Sequence, residues 1–160
     1  MMSSRVRVGK SELGTAVFAD TPIAAGAIIL TFAGPIITFA EAVAMGVDEA
    51  NALQIDNVHY MDLEPPGLYV NHSCAPNSGI MRRTQLMALR DIAEGEEIRY
   101  DYSTTMHEDH WTMDCKCGSQ RCRGVVMDFR GLPPDVQRHY VSLGVVQPFI
   151  LRELDLPSSP

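Results

Sequence analysis

The sequence of 160 residues has no long hydrophobic run. Its longest apolar stretch, residues 24–33, is interrupted by a glycine and a threonine and is far shorter than the roughly 20 residues of a membrane-spanning helix. Residues 1–5 (Met-Met-Ser-Ser-Arg) are not followed by the apolar segment of a secretory signal. We therefore expect an intracellular protein without a membrane span, located in the cytoplasm or the nucleus.

Basic residues are in the minority, with 13 Lys and Arg against 20 Asp and Glu and a net charge of −7. This balance disfavours direct nucleic-acid binding, because proteins that coat nucleic acid neutralise phosphates with Lys and Arg. An acidic surface can raise the encounter rate with a basic peptide. It also keeps many soluble proteins soluble, so the charge is compatible with a basic substrate without requiring one.

Several catalytic signatures are absent. The sequence contains neither the phosphate-binding P-loop nor the glycine fingerprint of dinucleotide-binding proteins. It also lacks the His-Glu-x-x-His helix of zinc proteases and the Gly-x-Ser-x-Gly turn of serine hydrolases. These absences argue against the corresponding classes of enzyme.

Cysteine is scarce and unevenly placed, with one copy in mid-chain and three close together: Cys74, Cys115, Cys117 and Cys122. Four cysteines could form two disulfides in a secreted protein, but without a secretion signal a metal site is the better interpretation. A closed shell of four thiolates would hold a structural zinc ion. Two alternatives stay open, namely a shell that combines His107 and His110 with Cys115 and Cys117, and no metal at all.

Short β-branched and apolar runs bounded by turn residues predict a series of strands. In chain order they span residues 15–19, 27–32, 53–56, 59–63, 86–89 and 97–100. Thr38 and Glu41 form a capping-box pattern that opens a short helix ending at Met45. Residues 133–142, with proline at the start and Gly144 behind them, give the second helix signal. Many short strands with few helices predict a mainly β (α+β) fold built from small sheets.

Two further motifs carry chemistry-bearing side chains. Residues 71–77 (Asn-His-Ser-Cys-Ala-Pro-Asn) concentrate polar groups in one turn, which forms either a hydrogen-bonded loop or a pocket for a polar ligand. Residues 95–102 include Tyr100 and Tyr102, which strand alternation would place on one face. Such a pair taken alone is more often part of a core than of a catalytic site.

Together these motifs resemble those of the SET-domain protein lysine methyltransferases. Residues 71–77 and 95–102 resemble the two signatures of that family, and residues 115–124 resemble its post-SET zinc segment. The resemblance implies a β-clip fold of small curved sheets with a threaded, pseudoknot-like C-terminal segment, which is an exception to the usual unthreaded topology. It also divides the chain into a SET domain, a post-SET zinc segment and a C-terminal extension expected to be helical: residues 5–106, 107–124 and 125–160.

The same resemblance implies S-adenosylmethionine as the methyl donor, bound in one cleft, with a lysine entering through a channel from the opposite face. The substrate would be a lysine-containing protein, such as a histone or another Lys-rich tail. The cofactor-binding residues implied are Glu12, Leu13, Gly14, Phe32, Asn71, His72 and Tyr102. In this set residues 10–14 resemble a Gly-x-Gly loop, although Glu12 replaces its first glycine, and residues 32–34 resemble a Tyr-x-Gly element.

The resemblance implies Tyr102 as the catalytic tyrosine, which would orient the amine, with Tyr100 beside it. A tyrosine at position 100 leaves little room for a methylated nitrogen, so we expect mono- or dimethylation in preference to trimethylation. Cys74 would be the fourth ligand of a structural Zn²⁺. The alternatives are a non-catalytic SET-like module that binds a basic peptide and a plain zinc-stabilised β-domain.

Overall fold

The structure, a computed structural model, describes residues 4–158. Residues 1–3, which belong to the segment searched for a secretion signal, and residues 159–160, which end the expected C-terminal extension, lie outside the described residues. Within the described range, no helix is long and apolar enough to cross a lipid bilayer.

The described residues form twelve short strands in five small sheets. In chain order the strands are β1 Val6–Ser11, β2 Gly14–Ala19, β3 Ile28–Thr31, β4 Ile36–Thr38, β5 Ala52–Gln54, β6 His59–Asp62, β7 Asn71–His72, β8 Ser78–Met81, β9 Gln85–Ala88, β10 Arg99–Tyr100, β11 Met113–Asp114 and β12 Val125–Val126. The sheets have the orders β1-β2, β3-β9-β8, β4-β6-β5, β7-β10 and β11-β12. Only the pair β7–β10 is parallel among them. The predicted mainly β architecture of small sheets is confirmed.

Three α-helices complete the fold: α1 Phe39–Ala44, α2 Pro134–Leu143 and α3 Pro148–Glu153. The capping box of α1 is present, since Thr38 Oγ1 accepts the Glu41 N–H at 3.3 Å and a Glu41 carboxylate oxygen accepts the Thr38 N–H at 2.7 Å. Helix α2 ends at Gly144, whose left-handed conformation (φ 72°) suits a glycine. Both predicted helices are therefore confirmed, and α3 lies within the C-terminal extension that is expected to be helical.

One predicted strand is much shorter than expected. Residues 97–100 were predicted to be extended throughout, but regular pairing is confined to Arg99–Tyr100, and Glu97 makes only an isolated bridge to Phe18. Tyr102 begins a 3-10 turn that runs to Thr105. The chain therefore leaves the sheet between the two tyrosines, and strand alternation is the wrong reason for their proximity.

The parallel pair β7–β10 brings the two sequence motifs together. Asn71 lies opposite Arg99 and His72 lies opposite Tyr100. The Ser73 N–H extends the pairing by donating to the Tyr100 carbonyl at 3.1 Å. Residues 71–77, the polar loop, and the two tyrosines consequently form one site.

Two hydrophobic clusters support this site from different sides. The larger cluster contains buried side chains from most of the sheets and includes Phe32, Val70 and Tyr100. The smaller one packs α2 and α3 together through Phe129, Tyr140 and further apolar side chains. The C-terminal segment thus has a core of its own that packs against the rest of the chain.

Candidate functional site

The aromatic rings of Tyr100 and Tyr102 lie against each other. Their centroids are 4.9 Å apart with an interplanar angle of 41°. On its other side the Tyr100 ring meets Phe32 edge-on, at 5.8 Å between centroids. The two tyrosines predicted to be catalytic are therefore neighbours in space, although the second has left the strand.

Both tyrosines keep their phenolic protons near neutral pH. Burial, followed by the negative charge of Glu97, raises the pKa of Tyr102 well above its usual range. Burial also raises the pKa of Tyr100. The Tyr102 hydroxyl donates a hydrogen bond to the Val70 carbonyl oxygen at 2.7 Å. Its oxygen can therefore act only as an acceptor toward a further group, and neither phenol is poised as a base.

His72 has both ring nitrogens engaged. Its Nδ1 accepts the backbone N–H of Tyr102 at 3.1 Å, which leaves the proton of the neutral ring on Nε2. Nε2 lies 3.3 Å from Cys74 Sγ and donates to it in this tautomer. Burial lowers the pKa of His72 to about 4, against the opposing effect of Asp101. The ring is therefore neutral near pH 7 and links the tyrosine to a cysteine.

A cleft of about 560 Å³, counting the part that is open to solvent, lies on one side of Tyr102. Its walls combine the polar loop with the turn between β1 and β2 and with the cysteine-rich segment: Leu13, Asn71, His72, Tyr102, Met113, Asp114, Cys115, Lys116 and Cys117. Four of the seven residues predicted to bind a cofactor thus meet at one place. Of the described residues, the other three, Glu12, Gly14 and Phe32, are not in these walls.

Phe32 occupies the hydrophobic core and is 2% exposed. Its ring packs so closely against Gly67 that a Cβ at that position would come within 2.6 Å of it. Two residues later, Gly34 has φ 152°, and a Cβ there would lie 1.8 Å from the Asp62 carbonyl oxygen. The segment that resembles the Tyr-x-Gly element is therefore fixed by close packing, and Phe32 reaches the site through Tyr100.

A second cavity also has the two tyrosines in its walls. Polar and aromatic side chains in its walls are Glu49, Gln54, Tyr60, Tyr100, Tyr102, Glu108 and Trp111. The Tyr60 hydroxyl donates to a Glu108 carboxylate oxygen at 2.6 Å, and Glu49 lies 3.1 Å from His110 Nε2. Burial raises the pKa of Glu108. This cavity therefore presents carboxylates and hydroxyl groups next to Tyr102.

The four cysteine sulfurs converge, with all Sγ atoms within 4.8 Å of one another. Zn²⁺ with Zn–S bonds of about 2.3 Å would hold tetrahedral sulfurs about 3.8 Å apart. Cys74 Sγ and Cys115 Sγ are 3.7 Å apart, and all four cysteines are free of disulfides. The donor set and its spacing therefore fit a closed tetrahedral zinc site.

Hydrogen bonds to Cys74 and Cys117 also fit a metal site. Cys74 Sγ accepts the backbone N–H of Arg123 at 3.4 Å in addition to the His72 contact. Burial opposes ionisation of Cys117, but hydrogen bonds from the Cys74 and Ser119 backbones and the neighbouring thiols lower the pKa of Cys117 to about 7. Such hydrogen bonds to sulfur orient and stabilise thiolate ligands.

The alternative shell with histidine is not formed. His110 pairs with Glu49 and stacks edge-on against Phe39, at 5.5 Å between ring centroids. The backbone carbonyl of His107 accepts a hydrogen bond from Gln54 at 3.1 Å. Among residues 4–158 the cluster able to hold a metal ion consists of the four cysteines without either histidine.

Residues 115–124, the cysteine loop, connect the antiparallel strands β11 and β12. Hydrogen bonds join this loop to the site. The Cys115 N–H donates to the Gly124 carbonyl at 2.8 Å and closes the base of the loop. From β10, Arg99 Nη1 donates to the Cys117 carbonyl at 3.1 Å. These contacts place the cysteine loop as one wall of the cleft beside Asn71.

Sequence patterns missed Glu49, Glu108 and Asp101, which lie in or beside the site, and Tyr140, whose hydroxyl donates to Asp101 Oδ2 at 2.8 Å. Asp101 lies between the two tyrosines, so its place in the motif was the one available signal. The carboxylates of Glu49 and Glu108 come from separate segments and meet only because the fold forms a cavity there. Tyr140 is a buried position of a predicted helix, and nothing in its neighbourhood in the sequence indicates its hydrogen-bond partner.

Comparison with known proteins gives a match to a family model described as the SET domain, over residues 14–103, which is more than half of the chain. The chain is 30% identical over 132 residues to histone-lysine N-methyltransferase ash1 of Drosophila melanogaster. It is 29% identical over 126 residues to the histone-lysine N-methyltransferase, H3 lysine-4 specific, of Eremothecium gossypii. It is 40% identical over 78 residues to the histone-lysine N-methyltransferase, H3 lysine-9 specific KMT1, of Fusarium mangiferae.

These matches cover much of this chain but little of the relatives. They span 72%, 68% and 36% of the chain, respectively, and 6%, 13% and 22% of the three relatives. The shared region is therefore one part of much longer proteins.

Proposed function

Because this chain belongs to the SET-domain family, we propose that it transfers a methyl group from S-adenosylmethionine to the side-chain amine of a protein lysine. One observation carries the proposal. Among residues 4–158, Tyr102 alone is common to the walls of the two cavities, the cleft beside the cysteine loop and the cavity beside Glu108. A donor on one side and an acceptor on the other would meet at its hydroxyl.

The cleft offers groups that suit S-adenosylmethionine. Leu13 and Met113 supply apolar surface, and Asp114 and Lys116 supply opposite charges suited to an amino-acid zwitterion. Asn71 is held in place there, because its amide nitrogen donates to the Thr15 carbonyl at 3.2 Å. When bound, S-adenosylmethionine supplies a methyl group activated by a sulfonium.

Tyr102 would orient the acceptor amine. Since its own proton is donated to Val70, the hydroxyl oxygen can accept an N–H of the lysine amine. The nitrogen lone pair is then left free to attack the methyl carbon. Alignment of this kind is a major source of rate acceleration in a displacement that needs few chemical groups from the protein.

The lysine must be neutral when it reacts, and its pKa in water is about 10.4. Removal from water favours the uncharged amine, and the buried Tyr100 with the partly buried Tyr102 provides such surroundings. The carboxylates of Glu49 and Glu108 in the same cavity, together with the net charge of −7, would attract the cationic form before it enters. The charge of the cavity is thus suited to a basic side chain.

The proposed substrate class is a lysine-containing protein, with a histone tail as the first candidate. The relatives named above are histone-lysine methyltransferases, and their names specify different lysines of H3. A choice of lysine therefore does not transfer to this chain. The four cysteines would hold a structural Zn²⁺ that keeps the cysteine loop against the cleft.

Tyr100 supports the proposal of mono- or dimethylation. Its ring is packed between Phe32 and Tyr102, so its hydroxyl takes up room beside the reacting nitrogen. Each methyl group added to the amine needs space and removes an N–H donor. Mass spectrometry of the product measures the outcome, and trimethyl-lysine as the main product would contradict the proposed role of Tyr100.

The test of function has two parts. Calorimetry measures whether the chain binds S-adenosylmethionine, which a plain zinc-stabilised β-domain would not do. Incubation with cofactor labelled in the methyl group, a panel of histones and a cell lysate then detects transfer to protein. We expect label on lysine; binding of the cofactor without transfer to any protein would instead favour the non-catalytic module.

A further inference from the structure

The carboxylate of Asp101 is a hub that accepts several hydrogen bonds. Asp101 lies between Tyr100 and Tyr102 in the sequence, and 1% of the residue is exposed. Its Oδ2 accepts the hydroxyl of Tyr140 at 2.8 Å. The Arg123 guanidinium binds both carboxylate oxygens, with nitrogen atoms 2.8 Å from Oδ1 and 2.8 Å from Oδ2. The Ser103 N–H adds a fourth bond, 3.1 Å from Oδ1. A buried carboxylate requires such partners, because an unpaired charge is very unfavourable away from water.

Arg123 connects this hub to the cysteine cluster. Its backbone N–H donates to Cys74 Sγ at 3.4 Å while its side chain holds Asp101. A forked guanidinium–carboxylate pair fixes direction as well as distance. A shift of Asp101 would therefore change the hydrogen bond from the Arg123 backbone N–H to Cys74 Sγ.

Asp101 also lies beside the histidine of the cleft. It precedes Tyr102, whose N–H donates to His72 Nδ1 at 3.1 Å, and its own Oδ1 is 3.6 Å from the same nitrogen. Because Nδ1 acts as an acceptor, a free carboxylate at this distance would repel its lone pair. Engagement of the negative charge by Arg123 and Tyr140 removes that conflict.

Tyr140 reaches the hub from helix α2, in the segment for which the sequence indicated no function. The residue is 3% exposed, and its ring belongs to the C-terminal cluster with Phe129, Val145 and Phe149. This packing fixes the ring and so fixes the hydroxyl at Asp101. The position lies outside residues 14–103, which match the family model.

We propose that Tyr140 is a positioning residue for the methyl-transfer site. Its hydroxyl holds Asp101 so that Tyr102, His72 and Arg123 keep the arrangement that the cofactor cleft requires. This inference rests on the proposed function and gives the C-terminal extension a role within it.

The test compares two variants of the full chain. Tyr140→Phe removes one hydroxyl and keeps the packed ring. The matched control, Ile150→Val, trims a fully buried side chain of the same cluster that has no polar atom to offer Asp101. Calorimetry measures the Kd of S-adenosylmethionine, and thermal unfolding measures stability. Steady-state kinetics with a histone-tail peptide, the first candidate substrate, measure kcat and the KM of that peptide.

We expect Tyr140→Phe to raise the Kd of the cofactor on the order of tenfold, the scale of one hydrogen bond to a charged group. We expect kcat to fall as well, because Tyr102 directly follows Asp101 in the chain and lines both cavities. Ile150→Val should lower the unfolding temperature and leave the cofactor Kd at the wild-type value.

Two results would overturn the positioning role: a Kd for Tyr140→Phe equal to that of the wild type, or equal losses of affinity in both variants. A wild-type chain that binds no S-adenosylmethionine would overturn the proposed function, and with it this inference. The wild-type measurement therefore distinguishes one failure from the other.

Discussion

At the scale of single residues, the proposed chemistry depends on how the Tyr102 hydroxyl is held. The Val70 carbonyl oxygen accepts a hydrogen bond from the hydroxyl at 2.7 Å, and the His72 ring accepts the N–H of the same residue at 3.1 Å. Tyr102 is thus fixed at both its backbone and its side chain. A group fixed in this way can orient a partner without first being ordered, which is the basis of catalysis by alignment.

We expect Tyr102→Phe to bind S-adenosylmethionine with near wild-type affinity and to lose most of its turnover, by roughly 100-fold in kcat. The change removes the acceptor for the amine and leaves the aromatic packing with Tyr100 intact. Calorimetry and a methyl-transfer assay measure the two quantities. The control is Tyr69→Phe, which removes a hydroxyl that lines neither cavity. Full activity in Tyr102→Phe would remove this residue from the mechanism.

Glu96 gives a prediction about pH. The Arg90 guanidinium is the main cause that lowers the pKa of Glu96 to about 2, outweighing burial, with help from the Ala93 N–H and the Asn77 amide. The group is ionised in the folded chain down to lower pH than in the unfolded chain. Its contribution to stability is therefore complete above pH 4.5, the ordinary value, and is lost as pH falls toward 2.

Glu96→Gln should consequently lower the free energy of unfolding at pH 7 by about 1 kcal/mol, once solvent screening is allowed for. It should also flatten the loss of stability between pH 4.5 and 2. Urea titrations at several pH values measure both effects. The control is Glu94→Gln, which changes an exposed residue of the same turn. If the free energy of unfolding of Glu96→Gln fell between pH 4.5 and 2 as steeply as that of the wild type, Glu96 would not be the cause of this loss of stability.

Residue types in short motifs were sufficient to find Tyr100, Tyr102, His72 and the cysteines. They did not indicate that Glu12, Gly14 and Phe32 would lie outside the walls of the cleft, since similarity to a motif does not fix the position of a side chain. Asp101 shows the limit most clearly. Its role comes from Arg123 and Tyr140, which approach it only in the folded chain.

At the scale of structural elements, the cysteine loop is the unit on which the cleft depends. It supplies one wall of the cleft and is anchored to the centre of the chain by Cys74. A shell of four thiolates without an open position is suited to a structural role. Loss of one thiolate should therefore affect the metal and the cofactor together.

We expect Cys74→Ser to bind zinc more weakly and to lose affinity for S-adenosylmethionine in parallel. Metal analysis after dialysis and calorimetry with the cofactor measure the two effects. Ala75→Ser, next in the chain and exposed, is the control because it adds a hydroxyl and keeps all four thiols. Full zinc occupancy with normal cofactor binding in Cys74→Ser would show that Cys74 is not a ligand.

Elements with strong local signals were predictable, and those made by tertiary pairing were not. Thr38 with Glu41, and Pro134 with Gly144, mark the ends of α1 and α2 in the sequence itself. By contrast, β7 and β10 have two residues each and exist as strands only because they pair with each other. Strand β1 was missed because most of its side chains are at least partly exposed, so its apolar pattern is weak.

At the scale of the whole molecule, the acidic surface and the acidic cavity act in the same direction. The net charge of −7 would attract a basic peptide from a distance, and Glu49 and Glu108 line the cavity proposed to receive its lysine. Attraction between exposed charges is weakened by salt, since the screening length is about 10 Å at 0.1 M and about 3 Å at 1 M. The proposed reaction should therefore depend on ionic strength through binding of the peptide.

Raising the salt concentration should increase the KM of a Lys- and Arg-rich peptide several-fold and leave kcat nearly constant. A peptide in which the target lysine is the sole basic residue should respond much less. Initial rates over a range of sodium chloride concentrations measure both. A fall in kcat at constant KM would instead mean that salt acts on the site and that electrostatic attraction of the peptide is unimportant.

The parallel pair β7–β10 also has a consequence for the order of folding. Hairpins such as β1–β2 and β5–β6 join neighbouring segments, whereas β7 and β10 must meet across an intervening loop that contains β8 and β9. Closure of that loop is unfavourable until the contacts it allows have formed, so such pairing is slow. The local hairpins would then form before Tyr102 meets Val70 and His72. In this chain the recovery of methyl transfer would time the end of folding more faithfully than circular dichroism.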